Sequence, residues 1–184
     1  MELWEKQCGH EEIFLGRVVH LVRDTVELPD GHRSIREVVR HPGAVAVAAV
    51  TKDRKLLLVT QYRYPFARTL TEIPAGKLDP GEEPDHAAAR ELREETGATA
   101  DLLRPLGSFF ATPAIFDENI HLYYATGLHF GESSLDPDEF LTCSQMDLDE
   151  AVRRAACGDF PDGKTQAAIM RIHYLIGQGE LPVL

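Results

Sequence analysis

Several things are scarce in this chain, and each scarcity narrows what it can be. Cysteine occurs three times in 184 residues, at Cys8, Cys143 and Cys157. An odd count without a CxxC pair speaks against a disulfide-stapled scaffold and for a reducing compartment. Cys8-Gly9-His10 has no further spaced partner for a metal, and the eight histidines form no HExxH; His41, His121 and His173 read as packing or surface residues. Long apolar runs are missing too. The longest spans residues 44–50, enough for a buried strand and too short to cross a bilayer. Met1-Glu2-Leu3-Trp4-Glu5 lacks the basic region and apolar stretch of a signal peptide. A soluble, cytoplasmic protein with no membrane partner is therefore expected. Positive charge is in short supply: 19 Lys and Arg against 30 Asp and Glu leave a net charge of −11. No basic block is present to displace counterions from a phosphate backbone, so no nucleic-acid partner is expected.

What is present is enough for a core. With 43% hydrophobic residues, the chain suits one globular fold without repeats, low-complexity tracts or an obvious linker. Strands are expected over residues 13–24 and 34–40, around the turn Leu28-Pro29-Asp30-Gly31, and over 44–50 and 56–62. Further strands are expected at 102–110 and 120–126, an acidic loop at 127–139, and helices near 84–96, 148–157 and 164–177. The last carries Ala168, Ile169, Ile172 and Ile176 at helical spacing. Strands and helices that alternate without strict βαβ units imply an α/β fold with a mixed sheet between helices.

The densest signal lies between Gly76 and Ala98. Gly76 is followed by Glu82, then Arg90-Glu91, Glu94-Glu95 and Gly97 in fixed spacing, a pattern expected by accident at about one start in 10^8. Pro84 can open a helix and Gly97 can close it in the left-handed conformation. Glu91, Glu94 and Glu95 then fall at i, i+3 and i+4, with their carboxylates on one face. Two carboxylates about 6 Å apart repel by roughly 3 kcal/mol at an effective dielectric of 20. A divalent cation removes that penalty, and oxygen donors suit Mg²⁺, or Mn²⁺, better than zinc.

These residues form a segment that resembles the Nudix box, and the chain resembles Nudix hydrolases, which hydrolyse a nucleoside diphosphate linked to another group. The resemblance implies the α/β/α Nudix fold, with divalent cations as electrophiles and water as nucleophile. Glu91 and Glu95 would be metal ligands, joined by Glu94 and the carbonyl of Ala75. Arg90 would hold a box glutamate by an ion pair, with Glu82 outside the ligand set. Pro113 lies fifteen residues past Ala98, within Thr112-Pro113-Ala114-Ile115-Phe116-Asp117-Glu118. Its placement is similar to the ADP-ribose pyrophosphatase branch, although Thr112 and Ala114 stand where Ser and Gly are usual.

Within that branch Glu118 would activate or position the water, with Glu94 as the alternative base. Gln61-Tyr62-Arg63-Tyr64-Pro65 and Glu72-Ile73-Pro74-Ala75-Gly76 also resemble it; Arg63 would contact the diphosphate. Arg36 and Glu37 would read the adenosine end. Residues 1–43 would be an antiparallel β extension that pairs two copies into a homodimer, ahead of a Nudix domain over 44–184. The implied small-molecule substrate, a nucleoside diphosphate sugar, is itself anionic, so bound cations and local arginines must reverse the sign of the protein's field. Mg²⁺-dependent hydrolysis of ADP-ribose to AMP and ribose 5-phosphate is the expected reaction. Another nucleotide sugar, or a non-catalytic ligand sensor on the same scaffold, are the alternatives.

Overall fold

The computed structural model describes residues 3–137 and 139–184. Met1, Glu2 and Asp138 lie outside the described residues; they include the start of the segment read for a signal peptide and one position of the acidic loop. The chain divides into two compact units, Met1–Gly43 with Phe110–Asn119, and Ala44–Phe109 with Ile120–Leu184.

The second unit is built around strand β4, Ala44–Ala49, in which every residue is buried. A continuous apolar run of this kind is what a strand covered on both faces requires. β4 pairs in parallel with β9, Ile120–Phe130, and antiparallel with the short β7, Ala75–Lys77. β8, Ala98–Phe109, completes a mixed sheet in the order β7-β4-β9-β8. Alternate β4 residues serve different cores. Val45, Val47 and Ala49 pack with Ala87, Ala88 and Leu92 of helix α1, Pro84–Thr96. Ala44, Ala46 and Ala48 pack with Leu148 and Ala151 of α2, Leu148–Ala156, and with Ala168, Ile169 and Ile172 of α3, Gly163–Gly177. Helices on both faces of a mixed sheet make the α/β/α sandwich. A second sheet, β10-β5-β6, has β5, Lys55–Arg63, between β6, Arg68–Glu72, and β10, Leu141–Asp147.

α1 owes its limits to its ends. Pro84 occupies the first turn, where its missing N–H costs nothing, and Gly97 closes the helix at φ 70°. The Gly97 carbonyl accepts from Gly131 N–H at 2.7 Å and the Glu94 carbonyl from Ser134 N–H at 3.0 Å, so the segment after β9 is hung on the last turn of α1.

The first unit is a three-stranded antiparallel sheet of β1, Lys6–Leu15, β2, His20–Glu27, and β3, Arg33–Arg40. Here one expectation is corrected: residues 13–24 are not one strand. The chain turns at Gly16, whose N–H bonds the Val19 carbonyl at 2.8 Å, and the two halves pair with each other. Residues 110–119 are stitched to the end of β3 by Val39 N–H to the Ile115 carbonyl (2.8 Å) and Asp117 N–H to the Val39 carbonyl (3.2 Å). The expected loop at 127–139 is also shortened, because β9 continues to Phe130, held by Leu128↔Ala100 and Phe130↔Ala98 pairing. Among the described residues no helix is long and apolar enough to cross a membrane, and Cys8, Cys143 and Cys157 are free and exposed.

Candidate active site

β7 and α1 place the acidic residues. β7 is pinned to β4 by the pairs Val45↔Gly76 and Ala46↔Ala75, and the apolar side of α1 is buried on the same sheet. The two backbones therefore meet with the helix's carboxylates between them. A Cβ at Gly76 would overlap the Glu91 carboxylate, so this position admits no side chain unless Glu91 moves. Glu95 Oε2 accepts the Ala75 N–H at 2.9 Å.

Arg90 is the hub of the exposed side of this cluster. Its Nε and Nη2 hold both oxygens of Glu82 at 2.9 Å, and Nη2 also reaches the Lys77 carbonyl at 3.1 Å. Nη1 donates to Glu91 Oε1 at 2.7 Å and Glu94 Oε2 at 3.0 Å. One guanidinium thus serves three carboxylates. The Arg90 fork and the Asp79 N–H hold Glu82 down at about 2, as expected for a carboxylate receiving several donors. Glu91 shifts upward, chiefly by burial, which outweighs Arg90. Glu95 goes furthest: burial pushes it to about 8, with Glu91 and Glu139 adding repulsion against the opposing Ala75 N–H bond.

Glu139 was not singled out by sequence reasoning. It lies in the segment hung on α1, and its negative charge bears on both Glu91 and Glu95. It sits among the acids Asp136, Asp138 and Glu139 in a stretch without periodicity, so nothing local marks it.

A second charged cluster abuts the other end of this loop. Glu72, 1% exposed, is bound side-on by Arg63, with Nε to Oε1 at 2.8 Å and Nη2 to Oε2 at 2.7 Å. Lys164 Nζ donates to Glu72 Oε2 and to Asp162 Oδ1. Burial pushes the Glu72 carboxyl up, but the Arg63 fork and the Lys164 ammonium outweigh it and hold the group at about 2. Thr165 Oγ1 accepts the Ile73 N–H at 3.0 Å and donates to Asp162 Oδ2. Asp162, Lys164 and Thr165 were missed because the first turn of α3 meets this loop only through the fold.

The remaining expected residues lie in the first unit. Arg36 is tied to Glu5 by Nε and Nη2, and Glu37 to Arg23 Nη2 at 3.0 Å. Both are exposed pairs of the kind that water easily replaces. Glu118 lies 3.6 Å from His41 Nδ1. The neighbouring Asp117 accepts from the His41 N–H at 2.7 Å and from Arg40 at 3.0 Å, which fixes this loop to the end of β3.

The donor set suits a hard divalent cation. It consists of carboxylate and carbonyl oxygens, and the buried pair Glu91 and Glu95 is short of compensating positive charge. Among the described residues no three His, Cys, Asp or Glu side chains are already gathered to hold an ion; Arg90 draws Glu91 and Glu94 to itself instead.

The site thus sits in a sandwich fold in which helix α1 holds buried glutamates against Gly76 of β7. Comparison with known proteins gives the class: the NUDIX domain matches residues 39–167, and the chain belongs to that family. It is a Nudix hydrolase, an enzyme that acts on pyrophosphate bonds. It is 46% identical to the ADP-ribose pyrophosphatase of Bacillus subtilis (strain 168) over 169 residues, 91% of either chain. It is 48% identical to the methanol dehydrogenase activator of Bacillus methanolicus over 167 residues, 90% of either chain. Among solved structures it superposes on an ADP compounds hydrolase with a TM-score of 0.84 at 25% identity, covering 98% of this chain and 100% of that one.

Proposed function

We propose that the protein hydrolyses the diphosphate of ADP-ribose to AMP and ribose 5-phosphate in a Mg²⁺-dependent reaction. The observation that carries this is the pair Glu91 and Glu95, buried between β7 and α1 with too little positive charge around them. Support for the substrate comes from the ADP-ribose pyrophosphatase at 46% identity and the ADP compounds hydrolase with the same fold. Glu91, Glu94, Glu95 and the Ala75 carbonyl would hold the ions. When bound, Mg²⁺, or Mn²⁺ in its place, polarises phosphoryl oxygens and lowers the pKa of a coordinated water.

The chain's own residues do the rest. Arg90 keeps the glutamates spaced while Glu82 fixes Arg90. Arg63 offers its guanidinium to the diphosphate, and Arg36 and Glu37 read the nucleoside. Glu118 takes or orients the proton of the attacking water, with Glu94 as the alternative base. Glu139 is a further candidate, favoured by the influence of its charge on Glu91 and Glu95. Comparing Glu118→Gln, Glu94→Gln and Glu139→Gln decides among them: the base is the one whose loss abolishes kcat without raising KM. We place the protein in the cytoplasm and assign residues 1–43 to the pairing of a homodimer; a monomer mass in light scattering would remove that assignment.

Glu95→Gln tests the central reading. Turnover of ADP-ribose should fall by roughly 3 kcal/mol or more of transition-state stabilisation with the fold retained; unchanged turnover rejects the ligand set. A panel of ADP-ribose, GDP-mannose and UDP-glucose tests the substrate. A second reading follows the relative named for activating methanol dehydrogenase, at 48% identity: this chain acts to raise a dehydrogenase's activity. Adding the purified chain to a methanol dehydrogenase assay separates the two.

A further inference from the structure

Arg63 is presented in an unusual way. Two of its three nitrogens are occupied by the Glu72 fork, and among the described residues Nη1 has no partner. The side chain is 38% exposed and lines a cavity of about 460 Å³ together with Phe66, Arg68, Glu72 and Lys164. A free arginine must give up considerable side-chain freedom to meet a phosphate. Here that freedom is already spent, because a buried carboxylate fixes the guanidinium edge-on and leaves the remaining edge for a ligand.

Glu72 can do this only if it is itself held. Arg63 alone would leave it a single anchor on a mobile side chain. Lys164 supplies the second anchor at Oε2 and is itself tied to Asp162 Oδ1 at 3.0 Å. Asp162 caps α3 by accepting the Thr165 N–H at 2.9 Å, so the ammonium is braced by the helix start. At 12% exposure, Lys164 is too enclosed by its two carboxylates to serve as a free cation for a ligand.

From this geometry we infer that Lys164 is a positioning residue for phosphate recognition, acting through Glu72 to aim the open edge of Arg63 at the substrate's diphosphate. The inference rests on the proposed role of Arg63. Lys164 makes no hydrogen bond or ion pair with the box glutamates. Its charge is the smallest of the influences on Glu95, behind burial, the Ala75 N–H and the Glu91 and Glu139 carboxylates, so its loss should weaken binding while the chemistry proceeds.

Steady-state kinetics with ADP-ribose and saturating Mg²⁺ test this. Lys164→Met should raise KM about tenfold, the worth of one charge-assisted hydrogen bond, and change kcat by less than about twofold. Lys164→Arg should restore KM to within about threefold, because a second cation again anchors Glu72. In an Arg63→Met background Lys164→Met should add nothing, since the group it aims is gone. Should Lys164→Met fail to fold, as circular dichroism would show, Glu72→Gln/Lys164→Met removes both buried charges and should raise KM to the same extent. An unchanged KM in Arg63→Met overturns the diphosphate role of Arg63 and the inference with it. A raised KM in Arg63→Met beside an unchanged one in Lys164→Met overturns the inference alone. So does a double variant whose KM is the product of the two single effects, or a Lys164→Met whose loss falls on kcat.

Discussion

Glu72 and Glu95 are both buried, lie on either side of the same loop, and behave oppositely. Glu72 has two cations for one carboxylate and sits at about 2. Glu95 has one backbone N–H and only the weak through-space pull of Lys164 against burial and the repulsion of Glu91 and Glu139, and sits at about 8. Burial opposes ionisation in both, so partner count decides the sign. The first cluster has its charges paired within the protein. The second is incomplete in the protein alone, as expected where positive charge arrives with a ligand.

The contrast is sharpened first by exchanging charge for amide in both places. Glu95→Gln should lose nearly all activity yet leave the unfolding midpoint of the metal-free protein unchanged or raised at neutral pH, because the amide avoids the cost of protonating a buried carboxyl on folding. Glu72→Gln should do the reverse in stability, costing roughly 3 kcal/mol in urea unfolding, because it takes the carboxylate from Arg63 and leaves Lys164 with Asp162 alone. Equal destabilisation in both would break the comparison. Acid provides the next test. Glu72 titrates at about 2 in the folded chain against an ordinary 4.5. Its stabilisation is therefore whole above pH 4.5 and disappears as pH falls from 4.5 toward 2, a loss that Glu72→Gln should lack.

Smaller effects follow. Gly76→Ala forces the Glu91 carboxylate aside, and since a flexible side-chain tip can yield, activity should drop by roughly 10- to 100-fold with little change in melting temperature. Arg153→Ala removes an exposed pair with Glu150, whose side chains are 60% and 43% exposed. No measurable shift in melting temperature is expected.

The α1 helix was legible in sequence because its signals are local: Pro84, Gly97 and the Ala88/Leu92 stripe all act within four turns. β4 was legible for the same reason, as an unbroken apolar run. β10 was not. Its residues Leu141-Thr142-Cys143-Ser144-Gln145 are mostly polar and exposed, and it is a strand because β5 offers a free edge to its backbone. β7, three residues long, exists by the same dependence on β4. The turn at Gly16 was hidden by apolar residues on either side that continue one apparent strand. In the site, the box glutamates declared themselves by spacing, whereas Lys164 meets Glu72 across 92 positions of chain. No window of sequence contains both partners of such a contact.

The junction of Gly97 with Gly131 has a consequence for evolution of the enzyme. A Cβ on Gly97 would strike the Gly131 carbonyl oxygen, so the last turn of α1 works as a hook on which a later stretch of chain hangs by two backbone bonds. Lengthening or recasting that stretch beyond Ser134 changes which acid is delivered toward Glu91 and Glu95 while the hook and the helix stay as they are. The negative charge that bears on Glu91 and Glu95 can thus change in one short segment without disturbing the anchorage that carries it.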